Sequence, residues 1–268
     1  QKGYTGANIN AVTKSGTNDV KGSVYYVYRD NKMTGDRYNR PTDSYSAVAD
    51  FKESTKGISV GGPLIKDKLF FFASIEDQRS SRATPAFGPV GSSLTNVGIT
   101  NAQIAAVAAT AKAKYNVDIG GLDVPSGTEL TAKDYTLKFD WNINDQHRAN
   151  LRISKIEQLE PIFYGFGTRA LSYNSHWTAE KKTLETKVAQ WFADWTPTFS
   201  TELKLSKRDN PKTFENNSVL PQVSLVFTGT APAGTTSGDR TLRFGTEEFR
   251  HLNELRTNTT DIYFAGNW

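Results

Sequence analysis

An all-β fold built of antiparallel strands is what the 268-residue sequence predicts, and two observations predict it. The first is a period-two alternation of apolar and polar residues, repeated along the chain. The second is a strict alternation of short and long connections between the alternating segments. Period two is the spacing at which a pleated strand sends successive side chains to opposite faces.

The clearest strand is 135–143. Tyr135, Leu137, Phe139, Trp141 and Ile143 fall on one face, and Thr136, Lys138, Asp140 and Asn142 on the other. After 144–146 the pattern resumes, with Ala149, Leu151 and Ile153 alternating against Arg148, Asn150, Arg152 and Ser154. Two such runs across a tight turn form a hairpin. Ile58 and Val60 lead through Gly61, Gly62 and Pro63 to a turn at 66–68, followed by a strand over 69–76. Strands over 187–195 and 201–207 flank 196–198, with Ala189, Trp191, Ala193 and Trp195 on one face. Val24, Tyr26 and Tyr28 mark an earlier strand, and a last one runs over about 250–268.

The connections at 66–68, 144–146 and 196–198 are short; those at 30–51, 80–131, 159–182 and 208–249 are long. A soluble sandwich has no reason to alternate them. A transmembrane β-barrel does, because its turns are short on one side of the membrane and its loops long on the other. The polar strand faces agree. A small soluble barrel fills its interior with apolar side chains, whereas here one face carries Lys138, Asp140, Arg148, Arg152 and Lys204. Such a face is wet or meets a polar plug, and lipid covers the other. The expected lipid-facing wall is Tyr135, Leu137, Phe139, Trp141, Leu151 and Ile153. The expected fold is thus a transmembrane antiparallel β-barrel segment of about eight strands, with a short helix in an extracellular loop. That helix begins at Thr100 and Gln103, spaced as a capping box, and presents Ile104, Val107, Ala108 and Ala111 on one face. It packs a surface loop or forms a mobile lid over the barrel mouth.

Composition excludes several classes. There is no cysteine, hence no disulfide framework, thiolate metal site or Cys nucleophile. No run of about 18 apolar residues offers a transmembrane helix, and no charged and apolar leader follows Gln1. The mean hydropathy of −0.53 suits a barrel in which only alternate residues meet lipid. The net charge is +4 and the basic residues are scattered, as at Lys181, Lys182, Lys187, Lys204 and Lys207, so nucleic acid is not an expected partner. His147, His176 and His251 lack partners at metal-ligand spacing, and adjacent Glu76 and Asp77 point to opposite faces of a strand. The glycines at 120–121 and 165–167 lack the context of a phosphate loop. No catalytic residue, metal site, cofactor or enzymatic activity is expected. Phe163, Tyr164, Phe166, Tyr173 and Trp177 crowd one long connection. They pack that loop, or they contact a substrate or surface partner.

Two stretches carry a family resemblance. Residues 6–18, GANINAVTKSGTN, resemble the end of the plug domain in TonB-dependent receptors, and residues 21–29 look like the barrel strand that follows it. Residues 61–74, GGPLIKDKLFFFAS, are similar to the second hairpin of the Oar-like (OmpA-related, carboxypeptidase-regulatory-like) subgroup, and 249–253 fit its later strands. The resemblance implies a plug end at 1–18 and the N-terminal portion of a probable 22-stranded barrel at 19–268. It further implies a Gram-negative outer membrane, lipid as a surrounding partner, and the TonB system and a surface or periplasmic protein as partners of the whole protein. The solute would be a peptide, protein, glycan or metal chelate. Two rival readings are a complete eight-stranded structural or adhesive barrel and a secreted glycan-binding sandwich. The first is separated by whether the strand near Val20 pairs with the one near Trp268.

Overall fold

The computed structural model describes residues 14–48, 50–81, 85–124, 128–247 and 254–268. Eight strands make one sheet: β1 Lys21–Asp30, β2 Lys52–Ile65, β3 Leu69–Ser81, β4 Glu129–Asn142, β5 His147–Ile162, β6 Thr178–Thr196, β7 Phe199–Asn216 and β8 Leu255–Asn267. Each pairs antiparallel with its neighbours in the sequence of wall strands, β1 through β8. Among the described residues β1 and β8 each pair on one side only. The expected meander of short turns and long connections is therefore observed.

Register settles which residues share a face, because directly opposed residues on paired strands point the same way. One row runs Trp141, Ala149, Trp191, Leu203, Phe264. The next runs Phe71, Phe139, Leu151, Ala189, Leu205, Ile262. Ala73, Leu137 and Ile153 follow, then Val24, Ile58, Ile75 and Tyr135. All six expected wall residues fall on this one apolar face.

The apolar band does not follow the rows. In the row of Ile58, Ile75 and Tyr135, the later strands carry Lys155, Glu185 and Asp209. Toward the long connections the unbroken apolar run ends at Tyr135 on β4, Ile153 on β5, Ala189 on β6, Leu205 on β7 and Ile262 on β8. A level plane through strands about 4.8 Å apart and tilted about 40° shifts by roughly one residue per strand. The drift in sequence is the signature of tilted strands crossing a flat apolar slab.

Two expectations are corrected. The connection expected over 159–182 shrinks to 163–177, and the one expected over 208–249 becomes 217–254. β6 and β7 are 19 and 18 residues long, while a tilted strand crosses a bilayer in about 9–11. Beyond the slab both faces are mostly polar, so period two disappears from the sequence while the ladder continues. The last strand starts at Leu255, and residues 249–253 lie outside the described residues, as does the segment 6–13.

Three long connections fold together beyond the wall. Helix α1, Asn101–Tyr115, has Thr100 as its N-cap, with Gln103 N–H donating to Thr100 Oγ1 at 3.2 Å and Thr100 N–H donating to Gln103 Oε1 at 2.9 Å. A three-stranded sheet has Arg240–Phe244 in the middle, parallel to Ala170–Ser172 and antiparallel to Val223–Phe227. Between helix and sheet lies a core of Val97, Ile99, Ala111, Ile119, Leu171, Tyr173, Leu242 and Phe244. Ile104, Val107 and Ala108 pack against it as the helical spacing predicts.

Candidate functional site

The polar face of the wall is laced with paired charge. Arg29 pairs with Glu53, Tyr25 donates to Glu76, and Lys138 pairs with Asp140 at 3.0 Å. Near the long connections, Glu180 is held between Lys182 and Lys212, each at 2.7 Å, with Lys182 also 3.5 Å from Glu160. These sit at odd positions of β1 and β2 and even positions of β3 to β7, opposite the apolar rows.

The segment 14–20 lies against this polar face. Lys138 donates to Ser15 Oγ at 2.6 Å. Gly16 lies over Gly61 and Gly62, where a Cβ would stand 2.7 Å from Gly62 O, so only a glycine lets the two backbones approach. Val20 closes over Gly62 from the other side. Asn18 holds the β2–β3 turn: Asp67 N–H donates to Asn18 Oδ1 at 2.8 Å, and Asn18 Nδ2 donates to Asp67 Oδ1 at 2.5 Å. Asp67 takes the left-handed conformation, φ 63°, that this turn requires. Gly61 and Gly62 thus stand at a close backbone approach, whose partner is a segment 45 residues upstream of Gly61, at Gly16.

At the other end the loop domain takes up the aromatic cluster. Tyr173 and Trp177 are buried, 4% and 3% exposed, and Phe166 packs against the loop core. Phe163 meets Trp177 edge-on with ring centroids 4.9 Å apart, and Phe166 tilts against it at 5.9 Å. Phe163 and Tyr164 are half-buried. Tyr173 and Trp177 therefore serve as packing and present no contact surface in this arrangement. Burial pushes the Tyr173 hydroxyl up to about 12.

His176 is buried beside them, its Nδ1–H donating to Gly245 O with Nδ1 2.8 Å from the oxygen. Burial pulls its imidazole below the ordinary histidine value. Ser175 Oγ donates to Ile119 O at 2.7 Å and accepts from Gly245 N–H at 3.1 Å, tying three connections together. His147 lies on the apolar face, packed on Trp191 and Trp195 at 5.7 and 5.2 Å. Among the described residues no group of three His, Asp or Glu gathers at metal-binding distance. Sequence reasoning missed the loop domain, whose core residues are dispersed over three connections and show no single period.

An outer-membrane β-barrel domain family matches residues 12–117. That stretch covers the 14–20 segment, β1 to β3 and α1. The eight-stranded sheet that begins in this stretch has the fold of a transmembrane β-barrel wall. The chain is also similar, at 36% identity over 77 residues, to the TonB-dependent transporter Oar of Myxococcus xanthus. The similar stretch is 26% of this chain and 7% of that protein's length. No solved structure matches. As outer-membrane wall, the sheet resides in the outer membrane, and its turns and long connections divide between the two sides.

Proposed function

We propose that this chain supplies wall and outer loops to a plugged, TonB-dependent transporter that moves a large solute across the outer membrane. The observation that carries the reading is the 14–20 segment. It crosses the polar face at the short-turn end with glycine-on-backbone packing and a side-chain clasp on the first tight turn, as the join between a plug and its barrel would. Two features support it. Among the described residues β1 and β8 present free edges, and a free edge in lipid leaves backbone groups unpaired, so in this reading further strands complete the wall. The short similarity to Oar favours the TonB-dependent class. In this reading residues 1–18 end the plug, 19–268 begin the barrel, the rows from Val24 to Phe264 face lipid, and the partners are lipid, the TonB system and a surface or periplasmic protein. The solute is a peptide, protein, glycan or metal chelate, and the chain carries no enzymatic chemistry.

The chain has no cysteine, so paired cysteines scanned along β1 and β8 report their separation directly in outer membranes. Strands about 4.8 Å apart would cross-link readily in a closed eight-stranded barrel. Absence of any β1–β8 cross-link, with β1–β2 and β7–β8 control pairs forming, is expected for the larger transporter. Efficient β1–β8 cross-linking would instead establish the eight-stranded structural barrel. Transport itself is read as accumulation of a fluorescent large solute in cells with and without TonB, and indifference to TonB would remove the energy-coupled reading.

A further inference from the structure

The loop domain has a cleft of about 770 Å³ between α1 and the strand Val223–Phe227. Val107, Ala111 and Tyr115 line it from the helix, and Val223, Leu225 and Phe227 from the strand. The volume is that of a ligand site. The strand alternates: Val223, Leu225 and Phe227 are half-buried toward the cleft, while Ser224 and Val226 are exposed on the opposite face.

The same strand is the last of its sheet. It pairs with Arg240–Phe244 on one side, and among the described residues no backbone hydrogen bond joins 223–227 to any other segment. An edge strand leaves alternate N–H and C=O groups free to pair with another chain. A free edge and an apolar cleft therefore adjoin. A small apolar molecule would fill the cleft and leave the edge groups unpaired. An extended chain would satisfy both, its backbone pairing with the edge and every second side chain entering the cleft.

Charge narrows the partner further. Among the described residues no acidic side chain lines the cleft, and the last turns of α1 carry Lys112 and Lys114. Lys112 is bonded to Asn116, whereas Lys114 stands one turn beyond Thr110, which lines the cleft. An acidic residue beside the end of α1 complements it.

We propose that this cleft docks an extended peptide as a fourth strand beside Val223–Phe227, with apolar side chains at alternate positions and an acidic residue at the α1 C-terminal end. The site stands whether or not solute passes through the barrel, because docking is measured without transport.

The test uses outer-membrane vesicles bearing the full chain and a fluorescent octapeptide of alternating leucine and threonine with a terminal aspartate pair. Two control peptides accompany it, one N-methylated at alternate residues and one of the same composition with its leucines consecutive. Saturable binding is expected, weakened about tenfold or more by either change. A106R introduces a long charge at an exposed helix position lining the cleft without touching the core, and should abolish binding while leaving the protein folded and inserted. Equal binding of the N-methylated peptide, binding that survives A106R, or no saturable binding of the alternating peptide would each overturn the proposal.

Discussion

Asn18 and Asp67, 49 residues apart, clasp each other through both a side-chain amide and a backbone N–H. The clasp fixes the upstream segment to the first tight turn of the wall. Asn18→Ala removes both bonds, and since the pair is exposed and water can replace each partner, the cost is about 1 kcal/mol. Urea unfolding in detergent should show a small downward shift in midpoint. The amide of Asp67 should exchange markedly faster while amides within β2 and β3 stay protected.

Gly16→Val tests the closer half of the same contact. The added Cβ meets the backbone of Phe71 and Gly62, which does not yield as a flexible side chain would. The segment should lift from the wall, breaking the Lys138–Ser15 bond. Lys138, whose side chain is 13% exposed, should then be acylated several-fold faster in outer-membrane vesicles. Unchanged Lys138 labelling in Gly16→Val would show that the glycine packing does not hold the segment.

The two faces of the wall make a second kind of test. Phe139 and Leu151 oppose each other on the apolar face, and Thr136 lies on the polar one. Lysine at Phe139 or Leu151 costs about 2–4 kcal/mol if it meets lipid at mid-depth. Folding yields into vesicles should drop sharply for Phe139→Lys and Leu151→Lys and barely for Thr136→Lys. Equal yields would contradict the assigned faces.

The wall was legible in the sequence because lipid on one face and polar surroundings on the other impose period two on residues such as Leu137 and Lys138. Strand ends were not, since outside the slab Glu180, Lys182 and Lys212 pair on one face while Lys155 and Glu157 pair on the other. Alternation there carries no hydropathy signal. The helix was legible because a capping box is local. The loop domain was not, because Ile99, Leu171 and Leu242 meet from three separate connections. Composition marked the aromatic cluster at 163–177, but only packing distinguishes buried Trp177 from a surface contact.

Trp177 gives that distinction a measurable form. Its ring fills the space between Phe163 and Phe166 and is 3% exposed. Trp177→Ala should cost the loop domain about 3–5 kcal/mol, as for a large ring removed from a core. Proteolysis within residues 163–177 should rise sharply while the wall resists. Normal protease resistance with loss only of a binding activity would instead make the ring a contact residue.

His176 makes the loop domain sensitive to pH. Its imidazole is buried and neutral, with Nδ1–H donating to Gly245 O, and burial lowers its pKa below the 6.5 of an exposed histidine. The unfolded chain then binds the proton more readily than the folded one, so stability is full above pH 6.5 and falls as pH drops below it. Arg243 also disfavours the protonated ring, while Glu247 acts in the opposite direction. Hydrogen exchange at the amides of 170–177 and 240–247 should therefore accelerate between pH 7.5 and 5, after correction for intrinsic rates, while β3 and β4 show little change. In His176→Gln the pH dependence should disappear, whatever the variant's overall stability. A pH profile that survives the substitution would assign the sensitivity to another group.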